Sequence, residues 1–224
     1  MLVPDITIEG SPVQSTPVIK DLGVLISENL KWGPQVDHIY KTASLSSYQI
    51  FKAFKTKNIW IFHKLYTTYV RPKCEYNTSV WSPYLIQDIK KVERIQRRFT
   101  KRACILCNIP FTNYNDRLSK LNLQTLQHRR IIFDLILIYR IINGLSDLKF
   151  DDYFIFRTNP YRLRGNSRKI DTAFSSKVTE WHNCFFARSV RFWNHLPDEA
   201  ASCKTLSTFK LALRNVDLSP LYLC

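Results

Sequence analysis

The stretch Leu65–Arg102, LYTTYVRPKCEYNTSVWSPYLIQDIKKVERIQRRFTKR, decides how the chain folds. It reads as a helix, a Pro-punctuated connector and a second, long helix. With about 100° of rotation per residue, Ile86, Ile89, Val92, Ile95, Phe99, Ala103 and Leu106 gather on one half of that second helix. Lys90, Lys91, Arg94, Arg97, Arg98, Lys101 and Arg102 gather on the other half, and Asp88 and Glu93 are the acids of that window. The pattern predicts an apolar stripe facing a core, backed by a cationic ridge about four turns long. A solvated helix face ordinarily mixes both signs, because opposite charges at i,i+4 attract and like charges repel. A ridge of one sign therefore points to a polyanion, the phosphate backbone of a nucleic acid, with a plain soluble face as the alternative.

The whole chain carries the same bias: 33 Lys and Arg against 18 Asp and Glu give a net charge of +15 over 224 residues. An anionic partner follows, nucleic acid ahead of an acidic membrane surface. With 45% hydrophobic and 13% aromatic residues and only five Gly, the chain is no disordered tail and can bury one large or two small cores. Six cysteines in a chain of this length do not make a disulfide scaffold. The opening MLVPDITIEG has neither the basic nor the apolar region of a secretory signal. The most apolar run, Ile131–Ile142, is too short to span a bilayer and contains Asp134 and Arg140. The expectation is a soluble intracellular protein of the nucleus or cytoplasm, with reduced thiols and no membrane partner.

Upstream of the key stretch, Ile6 and Ile8, then Val18, Lys20, Leu22, Val24 and Ile26, alternate between Gly and Pro punctuation and predict two short strands. Helical spacing begins at Val36 and runs to Phe54, opened by Pro34. A second helix spans Ile59–Val70 and is expected to stop by Arg71, because Pro72 disfavours helical geometry in the residue before it. In the connector, Trp81 and Tyr84 read as caps on the core, with base stacking as the alternative.

Downstream, Asn108-Ile109-Pro110 breaks the basic helix, a short helix covers Asn115–Leu121, and an apolar helix runs from Leu126 to Ile142, ended by Asn143-Gly144. Within it Arg130 is placed to pair with Asp134 one turn on. Residues 145–184 lose helical periodicity. Tyr153, Ile155 and Phe156 are strand-like, and Arg157, Arg162, Arg164, Arg168 and Lys169 cluster around Gly165-Asn166 without an acid. That loop suits phosphate approach as well as it suits plain solvation.

Several separated groups of residues, in one order, resemble the region that follows the polymerase palm in reverse transcriptases of non-LTR retrotransposons, of the jockey and chicken-repeat type. They are Asp21–Ile26 with Leu30-Lys31-Trp32, Tyr69-Val70-Arg71-Pro72, Glu75-Tyr76, Val80-Trp81-Ser82-Pro83-Tyr84 and Glu93-Arg94-Ile95-Gln96-Arg97-Arg98-Phe99-Thr100. Further matches lie in Tyr114–Leu145, in Phe185–Pro197 and in Ser207-Thr208-Phe209-Lys210, so the resemblance covers Ile6 to Leu213. Cys74 departs from it, since the family carries an aliphatic residue there. A reduced Cys is a small hydrophobe and suits the same buried role. The resemblance implies the end of the palm over residues 1–32, a helical thumb over 33–108 and a helical C-terminal extension over 109–224. Such a thumb holds the RNA–DNA or DNA template–primer duplex by its backbone and works beside the palm and fingers of the whole polymerase.

Catalytic chemistry is not expected in this chain. The family's polymerase uses metal-binding aspartates in an aromatic-x-Asp-Asp turn, which the resemblance places upstream of Met1. Asp151-Asp152 is preceded by Lys149 rather than an aromatic at the corresponding position and reads as the opening of a strand at Tyr153. No carboxylate cluster suited to an RNase H site stands out. Cys104-x-x-Cys107 has ligand spacing and His182-x-Cys184 could complete a set, but the first pair falls on or beside the apolar face of the basic helix, against a zinc site. No cofactor is expected here, Mg2+ belonging with the palm. The reading is a mainly α chain, a thumb-like helical bundle with a small N-terminal β hairpin and a β ribbon near residues 153–175. Its expected function is non-catalytic binding of template–primer backbone by Lys90, Lys91, Arg94, Arg97, Arg98, Lys101 and Arg102. Arg162, Arg164, Arg168 and Lys169 are auxiliary. An element-derived nucleic-acid-binding adaptor and a truncated remnant without function are the alternatives.

Overall fold

The computed structural model describes residues 7–9, 11–12, 14–157 and 166–222. Two minimal strands, β1 (Thr7–Ile8) and β2 (Ser11–Pro12), precede a regular hairpin of β3 (Val18–Asp21) and β4 (Val24–Ser27). Leu22 and Gly23 both take positive φ, 43° and 86°, as a tight two-residue hairpin turn requires. The Tyr76 hydroxyl donates to the Leu22 carbonyl at 2.9 Å, so the turn is pinned from a distant point in the chain.

Helix α1 (Gly33–Ala53) begins with Pro34 in its first turn and buries Val36, Ile39, Ala43 and Ile50. Helix α2 (Ile59–Leu65) does not stop before the proline. It passes through a π turn, Tyr66–Val70, into α3 (Arg71–Glu75). The expectation that Pro72 ends the helix is therefore corrected. In the π turn the Arg71 N–H reaches back five residues to the Tyr66 carbonyl. The widened turn gives the proline ring room at a carbonyl that it would strike in a regular helix.

The basic helix, α4, spans Ile86–Leu106. Asn108, at φ 53°, closes it: Ile109 N–H bonds the Cys104 carbonyl at 2.9 Å. The same left-handed closure ends α5 (Tyr114–Lys120) at Asn122 and α6 (Leu126–Ile142) at Gly144. After a 3-10 turn at Phe150–Asp152, strands β5 (Phe154–Phe156) and β6 (Ile170–Thr172) pair antiparallel, giving the expected ribbon. Helices α7 (Thr179–Asn183), α8 (Phe185–His195), α9 (Asp198–Ala201) and α10 (Leu206–Ala212) complete a mainly α-helical chain.

Two hydrophobic cores divide along α6. The first joins α1 through α5 with Leu126; its centre is the ring cluster Phe51, Phe62, Tyr66 and Phe99, with Phe51 and Phe99 centroids 4.7 Å apart. The second begins at Ile131 and takes in β5, β6, α8 and α10, with Tyr139 and Phe209 stacked at 4.3 Å. Trp81 is fully buried and donates its Nε1 proton to the Tyr76 carbonyl at 2.8 Å, so it belongs to the core. Cys74 is buried as well, and burial pushes its thiol up to about 12, which leaves it an inert hydrophobe.

A buried polar network fastens the cores' seam. Gln96 accepts from Tyr66 Oη at 2.7 Å and donates to Tyr114 Oη at 2.8 Å and to the Gln124 carbonyl at 2.9 Å. Glu93 accepts from the Tyr114 hydroxyl and from the Leu126 N–H, the latter at 3.0 Å, and so sits at the N-terminus of α6. Arg130 does not pair with Asp134 as expected: Arg188 of α8 takes that carboxylate at 2.8 Å and also donates to the Ser79 carbonyl at 2.7 Å. Tertiary packing brings a better-aligned guanidinium than the one a turn away.

Glu93→Ala leaves a buried amide and hydroxyl without their acceptor and is expected to destabilise the protein by about 2–4 kcal/mol. Urea unfolding followed by Trp fluorescence checks this, and a change below about 0.5 kcal/mol would refute the network's role. Burial first, then neighbouring cations, lowers the pKa of His128 beside Arg129 and of His63 beside Arg71 and Lys64. Both histidines thus favour the neutral form when folded. Their contribution is complete above about pH 6.5, the unfolded value, and is lost as pH falls from there through the lower folded values. The urea midpoint should drop on acidification in that window, and His63→Asn/His128→Asn should flatten the drop.

Candidate nucleic-acid interface

All seven ridge cations project from α4, and six of them are exposed, with Lys91 half-buried. They form two stripes rather than one. Lys90, Arg94, Arg97 and Lys101 recur at i, i+4, i+7 and i+11 and line one side of the exposed face. Lys91, Arg98 and Arg102 lean toward α1. Lys91 forms an ion pair with Asp37, Arg98 donates to the Tyr40 hydroxyl, and Arg102 lies over the Phe51 ring at 4.7 Å. Arg97 lies over the Tyr114 ring at 4.2 Å, directly above the phenol that binds Glu93. Its guanidinium is therefore held by a cation–π contact while remaining exposed. No hydrogen bond, ion pair or ring contact within the described residues engages Lys90, Arg94 or Lys101.

The apolar face is wider and differently centred than helical spacing predicts. Ile86 and Leu106, expected in the stripe, are 47% and 42% exposed, although Ile89 and Ala103, one turn in from each, are buried. Glu93, Gln96 and Thr100 are buried instead, facing α5 and the start of α6. Glu93 was legible only as one of two acids in a basic window. Its burial depends on Tyr114 and Leu126, which no local pattern connects to it. A shallow groove runs beside the outward stripe, lined by Ile86, Ile89, Lys90, Glu93, Arg94, Arg97 and Gln127.

The auxiliary cluster is only partly on view. Arg162 and Arg164 lie outside the described residues. Arg157, read as part of an acid-free cluster, is neutralised by Asp171 through paired bonds of 2.8 and 2.7 Å. Sequence distance hid this partner, which the β5–β6 pairing sets opposite Ile155 and so within diagonal reach of Arg157. Arg168 lies against Phe156, 6.0 Å from the ring centroid, and its carbonyl accepts from Trp193 Nε1 at 2.8 Å. Asn194 grips the next turn of chain by bonding both the N–H and the carbonyl of Ile170, at 2.9 and 2.8 Å. Trp193-Asn194 thus position Arg168 and Lys169 on the second core, whereas the ridge rides on the first.

Among the described residues, no three His, Cys, Asp or Glu side chains are grouped to hold a metal ion. Cys104 is buried in the first core, and burial raises the pKa of its thiol. Asp151 and Asp152 are exposed on the 3-10 turn that opens β5, as the sequence suggested. Among the described residues, no helix is long and apolar enough to cross a membrane.

Against known proteins, the chain is 29% identical over 155 residues to an uncharacterized protein of Caenorhabditis elegans, an alignment covering 65% of this chain and 78% of that protein. No family model matches the sequence, and no solved structure matches it.

Proposed function

We propose that this chain is the palm-end, thumb and C-terminal extension of a non-LTR retrotransposon reverse transcriptase, and that it holds template–primer nucleic acid by its backbone without catalysing polymerisation. The observation that carries the binding reading is the outward stripe of Lys90, Arg94, Arg97 and Lys101, which has no acidic partner within the described residues. Eleven residues at about 1.5 Å each place its ends about 16 Å apart, roughly half a turn of duplex. Phosphates recur along that length, and point charges on flexible stems engage them without reading bases. Arg97 adds a guanidinium already oriented by the Tyr114 ring. The membership itself rests on the sequence resemblance, and it assigns the chain no metal-dependent step of its own.

Fluorescence anisotropy of a labelled RNA–DNA primer–template, titrated across salt, tests the reading. Four neutralised phosphates predict that log K falls against log salt with a slope of about −3 to −4. The variant Lys90→Glu/Arg94→Glu/Lys101→Glu reverses exposed charges outside the buried network. It should retain the native circular dichroism spectrum and lose about 100-fold or more in affinity at low salt. Unchanged affinity in that variant, or no binding by the wild type at low salt, would overturn the proposed grip. The second result would favour a remnant without function. Primer extension after addition of nucleotides and Mg2+ would overturn the non-catalytic assignment.

A further inference from the structure

Where the two cores meet, a cavity of about 40 Å³ is lined by residues from the connector, α4, α6 and α8, among them Ser82, Tyr84, Arg130, Asp134, Arg188 and Arg191. Its charge is uneven. Asp134 is the one acid in the lining, and both its oxygens are taken by Arg188, at 2.8 and 3.3 Å. Arg188 in turn is saturated by that carboxylate and by the carbonyls of Thr78, Ser79 and Asn183. Arg130 is not. It is 3% exposed, its two terminal nitrogens have no hydrogen-bond partner, and Glu93, the next carboxylate, is committed to Tyr114 and the Leu126 N–H. A buried guanidinium whose terminal nitrogens lack acceptors is unfavourable even with the Glu93 and Asp134 charges nearby, so an acceptor oxygen beside Arg130 would be stabilising. Arg191, an exposed residue, adds a third guanidinium to the residues of the lining, and Ser82 and Tyr84, which carry hydroxyls, are among them.

We infer that this cavity is a binding site for a phosphate-type oxyanion, held by the terminal nitrogens of Arg130 with Arg191 and the Ser82 and Tyr84 hydroxyls around it. At about 10–15 Å³ per water-sized oxygen, the cavity holds roughly three such atoms, the terminal oxygens of one phosphate group. Arg is suited to the task because its planar fork matches two oxygens at once. The cavity shares Ile89 and Gln127 with the groove beside the outward stripe, so the oxyanion can be free phosphate or the terminal phosphate of a strand lying in that groove. The site itself does not depend on the nucleic-acid reading.

Thermal melting of the full chain in sodium phosphate, against sodium chloride of equal ionic strength, is the first measurement. At about tenfold over the dissociation constant, phosphate should raise the melting temperature by about 3–5 °C. Arg130→Met replaces the guanidinium by an apolar chain of similar length. It should melt at or above the wild-type temperature in chloride and show no phosphate-dependent rise. Arg191→Gln, at an exposed position, should fold normally and weaken the phosphate effect severalfold. A second arm compares one oligonucleotide with a 5′-phosphate and with a 5′-hydroxyl. Tighter binding of the phosphorylated form by the wild type, lost in Arg130→Met, identifies a strand end as the source. Equal binding of the two forms together with a phosphate-induced melting shift identifies free phosphate. Absence of both effects, or an equal phosphate shift in Arg130→Met, overturns the site.

Discussion

The fold hangs on the carboxylate of Glu93 and the amide of Gln96, two polar side chains of α4 that are almost fully buried. Between them they bind Tyr66 from the π turn, Tyr114 from α5, the Gln124 carbonyl and the first N–H of α6. Apolar contacts alone would let α4 rotate or slide against its neighbours, since hydrophobic burial has no direction. Hydrogen bonds in a low-dielectric interior do have direction, and a one-residue slip would orphan several groups together. The network therefore fixes the rotation of α4, and with it which cations face outward.

That rotation explains why a ridge of one sign is tolerable. Repulsion among seven cations is relieved in part from below. Arg97 rests on the Tyr114 ring, Arg102 on Phe51, Arg98 on the Tyr40 hydroxyl and Lys91 on Asp37. The aromatic residues that build the first core thus present their edges and faces to the guanidinium groups above. What is left over is a narrow outward stripe, a smaller and straighter feature than seven basic residues in sequence imply.

The second core is joined to the first by charge as well as by α6. Arg188 reaches from α8 to Asp134 and on to the Thr78 and Ser79 carbonyls in the connector. Trp193 and Asn194, on the same helix, hold the backbone of Arg168 and Ile170. The residues that stand out near the C-terminus are thereby accounted for as fasteners of the joint and of the β5–β6 ribbon. Arg130 lies at the same joint, where the geometry that satisfies Arg188 leaves the terminal nitrogens of its neighbour without an acceptor.

Local chemistry was enough to place the main helices up to Ile142, but not α7, which falls in a stretch without helical periodicity. Apolar periodicity located α1, α4 and α6 to within a few residues, and Asn108, Asn122 and Gly144 close their helices because a left-handed residue frees the last carbonyls to be bonded from beyond. The alternation from Val18 to Ile26 marked extended chain but ran through Leu22, where the chain turns back on itself, so the hairpin's turn came only with the pairing of β3 and β4. Packing decided the rest. Pro72 continues a helix because a π turn makes room for it, an option that dipeptide preferences do not register. Glu93 is interior because α5 and the N-terminus of α6 cover that flank of α4, while Ile86 in its first turn stays exposed. Asp134 takes Arg188 in place of Arg130, and Arg157 takes Asp171, because partners more than ten residues away arrive with better alignment than those within a turn. A chain carries its own propensities and periods in order, but the neighbours that neutralise, cover or orphan a side chain are chosen only when distant segments meet.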